Sequence, residues 1–251
     1  MIEVTFLGTG SAWPRLNRYP SSLLINVGGK NILIDMGPGI IYQLLKTKRS
    51  LDDIDYLFIS HFHSDHVSDL PPFLEAVKYE LGYKKKKPLL MVGGKGFKRF
   101  YKNLRKLFGH CVDAGKKVII KEMGNNEIIL GNGIRVKTLV VPHNNESIAF
   151  RIEYGGKSLV YSGDTEFSRK LIDFSKNADI LILECAVPIG TKGEAHLNPE
   201  LAARIAKGSG AKKLVLVHLF KETEDSKEIK NFKKIYGQEV ILAKDLMKLR
   251  I

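Results

Sequence analysis

Short apolar runs rich in Val, Ile and Leu recur along the chain and alternate with stretches whose apolar positions return every three or four residues. The short runs predict strands over Ile2–Leu7, Ser22–Val27, Asn31–Asp35, Tyr56–Ser60, Pro88–Val92, Lys117–Lys121, Ile134–Val141, Ala149–Tyr154, Ser158–Tyr161, Ile180–Glu184, Leu214–Val217 and Glu239–Leu242. The longer period predicts helices over Ile40–Lys48, Leu70–Leu81, Lys95–Phe108, Phe167–Asn177, Pro199–Lys207 and Ser226–Tyr236. Gly28–Gly29 and Gly155–Gly156 each separate two apolar runs, as the turn of a two-residue hairpin does. Strands and helices interleaved from end to end indicate an α/β fold. No internal repeat and no Pro/Gly/Ser-rich linker interrupts the pattern, so residues 1–251 are expected to form one domain.

Composition adds two constraints. With 44% hydrophobic and 27% charged residues, a chain of 251 residues can bury a core without disulfides or a structural metal. Cys111 and Cys185 lie in unrelated contexts and read as free thiols. No stretch approaches the roughly 18 apolar residues of a membrane span. The segment MIEVTFLGTGSAWP lacks the cationic start and apolar centre of a signal peptide, so the cytoplasm is the expected compartment and no membrane partner is expected. The excess of 40 Lys+Arg over 27 Asp+Glu favours a polyanionic partner, although Lys-rich surfaces also accompany thermal adaptation.

The polar residues of interest gather at strand ends. His61, His143, Asp164 and His218 each follow a predicted strand, where loops display side chains on a rigid sheet. The segment HFHSDH crowds His61, His63, Asp65 and His66 between a strand and a helix. Imidazoles and a carboxylate packed this densely compete for solvation unless a cation organises them. Two residues apart in extended chain, His61 and His63 point the same way and can share one ion. Asp65 and His66, at the helix entrance, suit a second. Asp164, His143 and His218 are the strand-end residues available to complete such a pair, and of the seven histidines only His110 is left without a role.

These residues carry a resemblance to the metallo-β-lactamase superfamily, whose HxHxDH hallmark reads HFHSDH here. FLGTGSAWPR, SSLLI, ILIDMGPG, HFHSDHVSDLP, YSGDT, LECA and AHLNPELAARIAKGSGAKKLVLVHL follow one another as in its ribonuclease Z-like branch. The resemblance implies a four-layer αββα sandwich. It implies that His61, His63 and His143 hold one divalent transition ion, that Asp65, His66 and His218 hold another, and that Asp164 bridges them. Zinc is the first expectation for both ions, with manganese or iron accepted by the same donors. The implied reaction is hydrolysis of a phosphodiester, at RNA 3′ ends or in small cyclic or linear compounds, by a metal-bridging hydroxide. Arm-bearing relatives that process tRNA carry an insertion between the residues matching His143 and Asp164. Only twenty residues separate the two here, enough for a hairpin, which points to an arm-less relative.

The remaining chemistry follows from residue type. His196, before the helix at Pro199, is the candidate general acid for the leaving alkoxide, and Glu184 can orient its imidazole. Asp65 is also a candidate proton acceptor from the attacking water. Asp35, after a strand, suits support of a ligand histidine. The glycines of GTGSA fit a tight turn as well as a phosphate loop. In KGFKRFYKNLRKLF, Lys95, Lys98, Arg99, Lys102, Arg105 and Lys106 fall on one stripe of a helix and Phe97, Phe100, Tyr101, Leu104, Leu107 and Phe108 opposite, so the apolar half is expected in the core. With Lys84–Lys87, the cationic half could track an RNA backbone. The substrate partner is thus a phosphodiester, with RNA included, and a homodimer is the expected assembly. Rival functions are a thioester or lactone hydrolase of the same fold and a non-catalytic, metal-containing nucleic-acid-binding protein.

Overall fold

The computed structural model describes residues 1–79, 88–191, 195–230, 232, 236–237 and 240–251. In chain order its strands are β1 (Ile2–Gly8), β2 (Ser22–Val27), β3 (Lys30–Ile34), β4 (Tyr56–Ile59), β5 (Leu89–Gly93), β6 (Val118–Glu122), β7 (Glu127–Ile129), β8 (Arg135–Val140), β9 (Ile148–Tyr154), β10 (Lys157–Tyr161), β11 (Ile180–Glu184), β12 (Leu214–Val217), β13 (Val240–Leu242) and β14 (Lys248–Arg250). The helices are α1 (Ile40–Lys46), α2 (Ser64–Val67), α3 (Leu70–Tyr79), α4 (Phe97–Phe108), α5 (Arg169–Phe174), α6 (Pro199–Ser209), α7 (Lys221–Asp225) and α8 (Lys227–Lys230).

Two mixed sheets result, ordered β14-β1-β2-β3-β4-β5-β6 and β13-β12-β11-β10-β9-β8-β7. Their inner faces meet in one apolar core, where Phe58 stacks on Phe150 from the opposite sheet with ring centroids 5.3 Å apart. A second core joins the first sheet to α1, α3 and α4, and a third joins the other sheet to α5, α6 and α8. The layers are therefore αββα, and each sheet buries both faces, which is why its central strands read as continuous apolar runs. Both Gly-Gly pairs close antiparallel hairpins, with positive φ at Gly28, Gly29, Gly155 and Gly156 as a type I′ turn requires. The β9–β10 turn leaves no arm between His143 and Asp164. No helix among the described residues is long and apolar enough to cross a membrane.

Several boundaries differ from the sequence reading. β3 stops at Ile34 because Asp35 turns left-handed, with φ of 63°. The expected helix over 167–177 shortens to α5, whose N-cap Ser168 accepts from Leu171 N. β7 and β14 are edge strands of three residues with little buried surface, and α2 and α7 are too short to show a helical period. Helix α4 packs through Phe97, Phe100, Tyr101 and Leu104, but Leu107 and Phe108 are 76% and 46% exposed. The apolar stripe is thus core only in its first turns, since the last turn of α4 overhangs the core beneath it. Lys84–Lys87, residues 80–81 of the helix expected from Leu70, residues 231 and 233–235 of the helix expected over Ser226–Tyr236, and Glu239 lie outside the described residues.

Candidate metal centre

β3, β4, β8, β10 and β12 run in one direction within their sheets, so the residues that follow them emerge at one edge of the sandwich. There Ile148 N donates to Ser60 O at 3.0 Å and ties the two sheets together. His61 follows β4, the short helix α2 carries Asp65 and His66, and His143, Asp164 and His218 arrive from the second sheet. Close packing fixes the motif loop: a Cβ on Gly37 would lie 1.8 Å from Asp65 O, so only glycine fits beneath it.

The side chains converge. His61, His63, His143 and Asp164 offer ligand atoms within 4.8 Å of one another, as do Asp65, His66 and His218. Asp164 Oδ2 stands between the two sets, 3.6 Å from His61 Nε2, 3.5 Å from His66 Nε2, 3.9 Å from His143 Nε2 and 3.3 Å from His218 Nε2. Asp65 Oδ2 is 3.5 Å from His66 Nε2 and 3.3 Å from His218 Nε2. These separations are long for hydrogen bonds. They suit atoms sharing a cation, because a tetrahedral ion with bonds of about 2.1 Å sets its ligands ~3.4 Å apart. Buried His61 Nε2, His66 Nε2 and Asp164 Oδ1 have no hydrogen-bond partner, although orphaned buried polar atoms are rare. The donor set and its orphaned atoms fit divalent ions.

Outer contacts orient the ligands. His66 Nδ1 meets Asp35 Oδ2 at 2.9 Å, and Asp35 also accepts from Ser60 N at 2.7 Å and Ser60 Oγ at 2.8 Å. Ser60 Oγ is 3.1 Å from His61 Nδ1, and His143 Nδ1 is 2.8 Å from the carbonyl of Ala195. Burial, with His66 beside it, pushes the His61 imidazole down to about 2, so it is neutral as a ligand must be. Burial and the neighbouring His143 lower His63 as well. Burial also disfavours charge on Asp164 and Asp65, but the surrounding imidazoles win and hold both carboxyls below their ordinary range. His66 moves the other way, because Asp164 and Asp35 outweigh its desolvation.

His196 lies beside this cluster, its ring 4.9 Å from that of His143 and 5.4 Å from that of His218. Its Nδ1 pairs with Glu184 Oε1 at 2.8 Å. Fully buried Glu184 also accepts from Thr165 N, Ala186 N and Leu197 N, so one carboxylate spans the loops of Asp164 and His196. The glycines of the GTGSA segment serve packing, since a Cβ on Gly8 would lie 2.0 Å from Pro20 O. His110 stays outside the centre, next to Tyr79. The sequence does not single out Ala195 or Asn144, whose Nδ2 is 3.0 Å from His63 Nε2, since their contacts join distant segments, nor Ser60, a common residue at a strand end that contacts its neighbour His61.

A cavity of about 910 Å³ opens at His143 and is lined by Asn144, Phe167, Arg169 and Lys170 among others. A second, of about 610 Å³, lies across Asn145 and is lined by Phe62, Lys95, Arg99 and Asn103. The cationic stripe of α4 is therefore divided, because Lys102, Arg105 and Lys106 line a separate hollow with His110 and Asp113.

A family model described as "Anti-Pycsar protein Apyc1" matches residues 2–241. The chain is 27% identical to ribonuclease Z of Methanosarcina mazei, covering all of this chain and 98% of that protein. It is also 27% identical to the probable metallo-hydrolase YhfI of Bacillus subtilis, covering 97% of each. The ribonuclease Z alignment runs over 305 positions, so that relative has segments without counterpart here, whereas the YhfI alignment takes 253. Among solved structures, the metallo-β-lactamase fold protein YhfI superposes with a TM-score of 0.84 at 26% identity, covering 99% of this chain and 98% of that one. The short form of human tRNase Z superposes with a TM-score of 0.80 at 25% identity and 99% coverage of both chains.

Proposed function

The chain belongs to the Anti-Pycsar protein Apyc1 family and is a ribonuclease Z-like member of the metallo-β-lactamase superfamily, and on that premise we propose that its seven converging His and Asp side chains hold two divalent ions that act together on a phosphodiester. Ribonuclease Z and metallo-hydrolase relatives make it a metal-dependent hydrolase of the phosphodiesterase type. The observation that carries the dinuclear reading is the position of Asp164 Oδ2, within 3.9 Å of four imidazoles drawn from both ligand sets. His61, His63 and His143 would hold one ion, Asp65, His66 and His218 the other, with Asp164 between them. Zinc suits this nitrogen-rich set. Bound ions would acidify a shared water and neutralise charge on the phosphoryl oxygens. Both sheets supply ligands, so residues 1–251 act in this reading as one hydrolase domain.

The protein's own groups supply the rest. Glu184 holds the proton of His196 on Nδ1 and stabilises the imidazolium, which suits His196 to protonate a departing alkoxide. Arg169 and Lys170 line the large cavity beside His143 and offer positive charge to the flanks of an anionic substrate. The plain β9–β10 hairpin supplies no extended surface for gripping a folded RNA, which favours a small cyclic or linear phosphodiester over a tRNA precursor.

A substrate panel tests this: an aryl phosphodiester, cyclic nucleotides, a precursor tRNA and a thioester, with metal content measured on the same sample. Two ions per chain and turnover of the small phosphodiesters are expected, with slow or no tRNA cleavage. Thioester turnover with every phosphodiester inert would overturn the reading. In the same panel His196→Ala is expected to lower kcat by about 10²–10⁴-fold for alkyl leaving groups and much less for nitrophenolate, with ions retained.

A further inference from the structure

Metal-binding histidines act reliably only when the ring nitrogen turned away from the ion is held by a fixed partner, which sets both the tautomer and the ring orientation. His61, His66 and His143 meet this condition through Ser60 Oγ, Asp35 and the Ala195 carbonyl, while buried His218 Nδ1 is enclosed without a hydrogen-bond partner. His63 differs. It is the exposed histidine of the cluster, and its orientation is reversed: Nδ1 faces the centre, 3.3 Å from His143 Nε2, and Nε2 points outward. The group at that outward nitrogen is the side-chain amide of Asn144, 3.0 Å away.

Asn144 is itself well anchored. Its N–H donates to Ser147 Oγ at 3.0 Å, its carbonyl accepts from Ser147 N at 3.1 Å, and Val141 N donates to Ser147 O at 3.0 Å. The same turn packs on Gly94, where a Cβ would lie 1.7 Å from Glu146 O. One rigid turn thus carries a ligand, His143, and next to it the only side chain seen at the outward nitrogen of His63 among the described residues.

We propose that Asn144 is a positioning residue for His63: its side-chain amide accepts a hydrogen bond from Nε2–H, which keeps the lone pair on Nδ1 and aims it at the ion. In the structure the amide nitrogen faces Nε2, and a half-turn of the planar amide presents the oxygen at the same place. With an ion held on Nδ1 the imidazole hydrogen would lie on Nε2, where the oxygen-facing arrangement of the amide would accept it. This inference rests on the assignment of His61, His63 and His143 as one ion's ligands.

Zinc affinity measured on the full chain by competition with a chromophoric chelator decides it. Asn144→Ala is expected to weaken the ion assigned to His61, His63 and His143 by about 10–100-fold. Asn144→Asp, whose carboxylate can only accept, is expected to retain or exceed wild-type affinity. Thermal melts in excess chelator should match wild type, because the side chain is half-buried in a surface turn. Unchanged affinity in Asn144→Ala overturns the proposal, and so does Asn144→Asp binding as weakly as Asn144→Ala, which would make the amide a donor. A wild-type chain that binds no ion would instead overturn the ligand assignment.

Discussion

Asp35 shows how much one buried carboxylate organises. Its left-handed backbone turns the side chain back under the motif loop, where it meets Ser60 N, Ser60 Oγ, His66 Nδ1 and, at 3.4 Å, Tyr161 Oη. Burial and the adjoining carboxylate together push the Tyr161 phenol far up, so it stays a neutral donor. Asparagine tolerates the same backbone conformation and nearly the same volume. Asp35→Asn therefore removes charge without adding backbone strain. It is expected to weaken ion binding about 10–100-fold in chelator competition while leaving the fold intact by circular dichroism. Loss of folding instead would make Asp35 chiefly a structural residue.

Among the elements, α4 departs most from its sequence pattern. The cations in and just before it lie on two surfaces: Lys95, ahead of the helix, and Arg99 face the hollow behind Phe62, while Lys102, Arg105 and Lys106 face another, where Arg105 pairs with Asp113. The Phe62 ring stacks on Phe100, with centroids 4.6 Å apart, so the first turns of α4 buttress the residue between His61 and His63. Arg99→Glu is accordingly expected to raise KM for a small aryl phosphodiester. Lys102→Glu with Lys106→Glu should leave that KM unchanged. Any binding of single-stranded RNA along the second surface should lose about 0.7 from its log–log salt slope for each contact reversed. Equal effects of both reversals on the small substrate would mean that the helix acts as one electrostatic face.

At the scale of the molecule, the first loop and the chain's end are joined by a polar cluster remote in sequence. Arg18, almost fully buried, donates to Thr9 Oγ1, Ala243 O and Glu224, and Arg15 reaches the same carboxylate at 2.7 Å. Burial would raise the Glu224 carboxyl, but Arg18 and Arg15 outweigh it and lower it below its ordinary 4.5. A carboxyl lowered in the folded state adds stability that is complete above the unfolded value and is lost as pH falls through the folded one. The melting temperature of wild type should therefore exceed that of Glu224→Gln at pH 7. The gap should close progressively below about pH 4.5. A gap that persists in acid would show that the contribution is not ionic.

The sequence by itself determined the α/β alternation, both hairpins and the first ligand group, because these are local: the loop after β4 brings His61 and His63 to one cluster, and the helix that follows turns Asp65 and His66 inward. It also marked His143, Asp164 and His218 as strand-end residues, since the end of an apolar run is visible in the sequence. Only the tertiary structure decided that Asp164 stands between the two ligand sets, because that depends on how the second sheet is set against the first. Two braces, Asp35 on His66 and Glu184 on His196, are ones the residue types already suggest. The others were illegible: Asn144 on His63, the Ala195 carbonyl on His143 and the reach of Glu184 to Thr165 N each join segments far apart in the chain. Such contacts use common residue types or the backbone itself, which leave no periodicity or motif to read. The exposed end of α4 has the same origin: an amphipathic pattern says which face is apolar, and the extent of the core beneath says how far along the helix that face is covered.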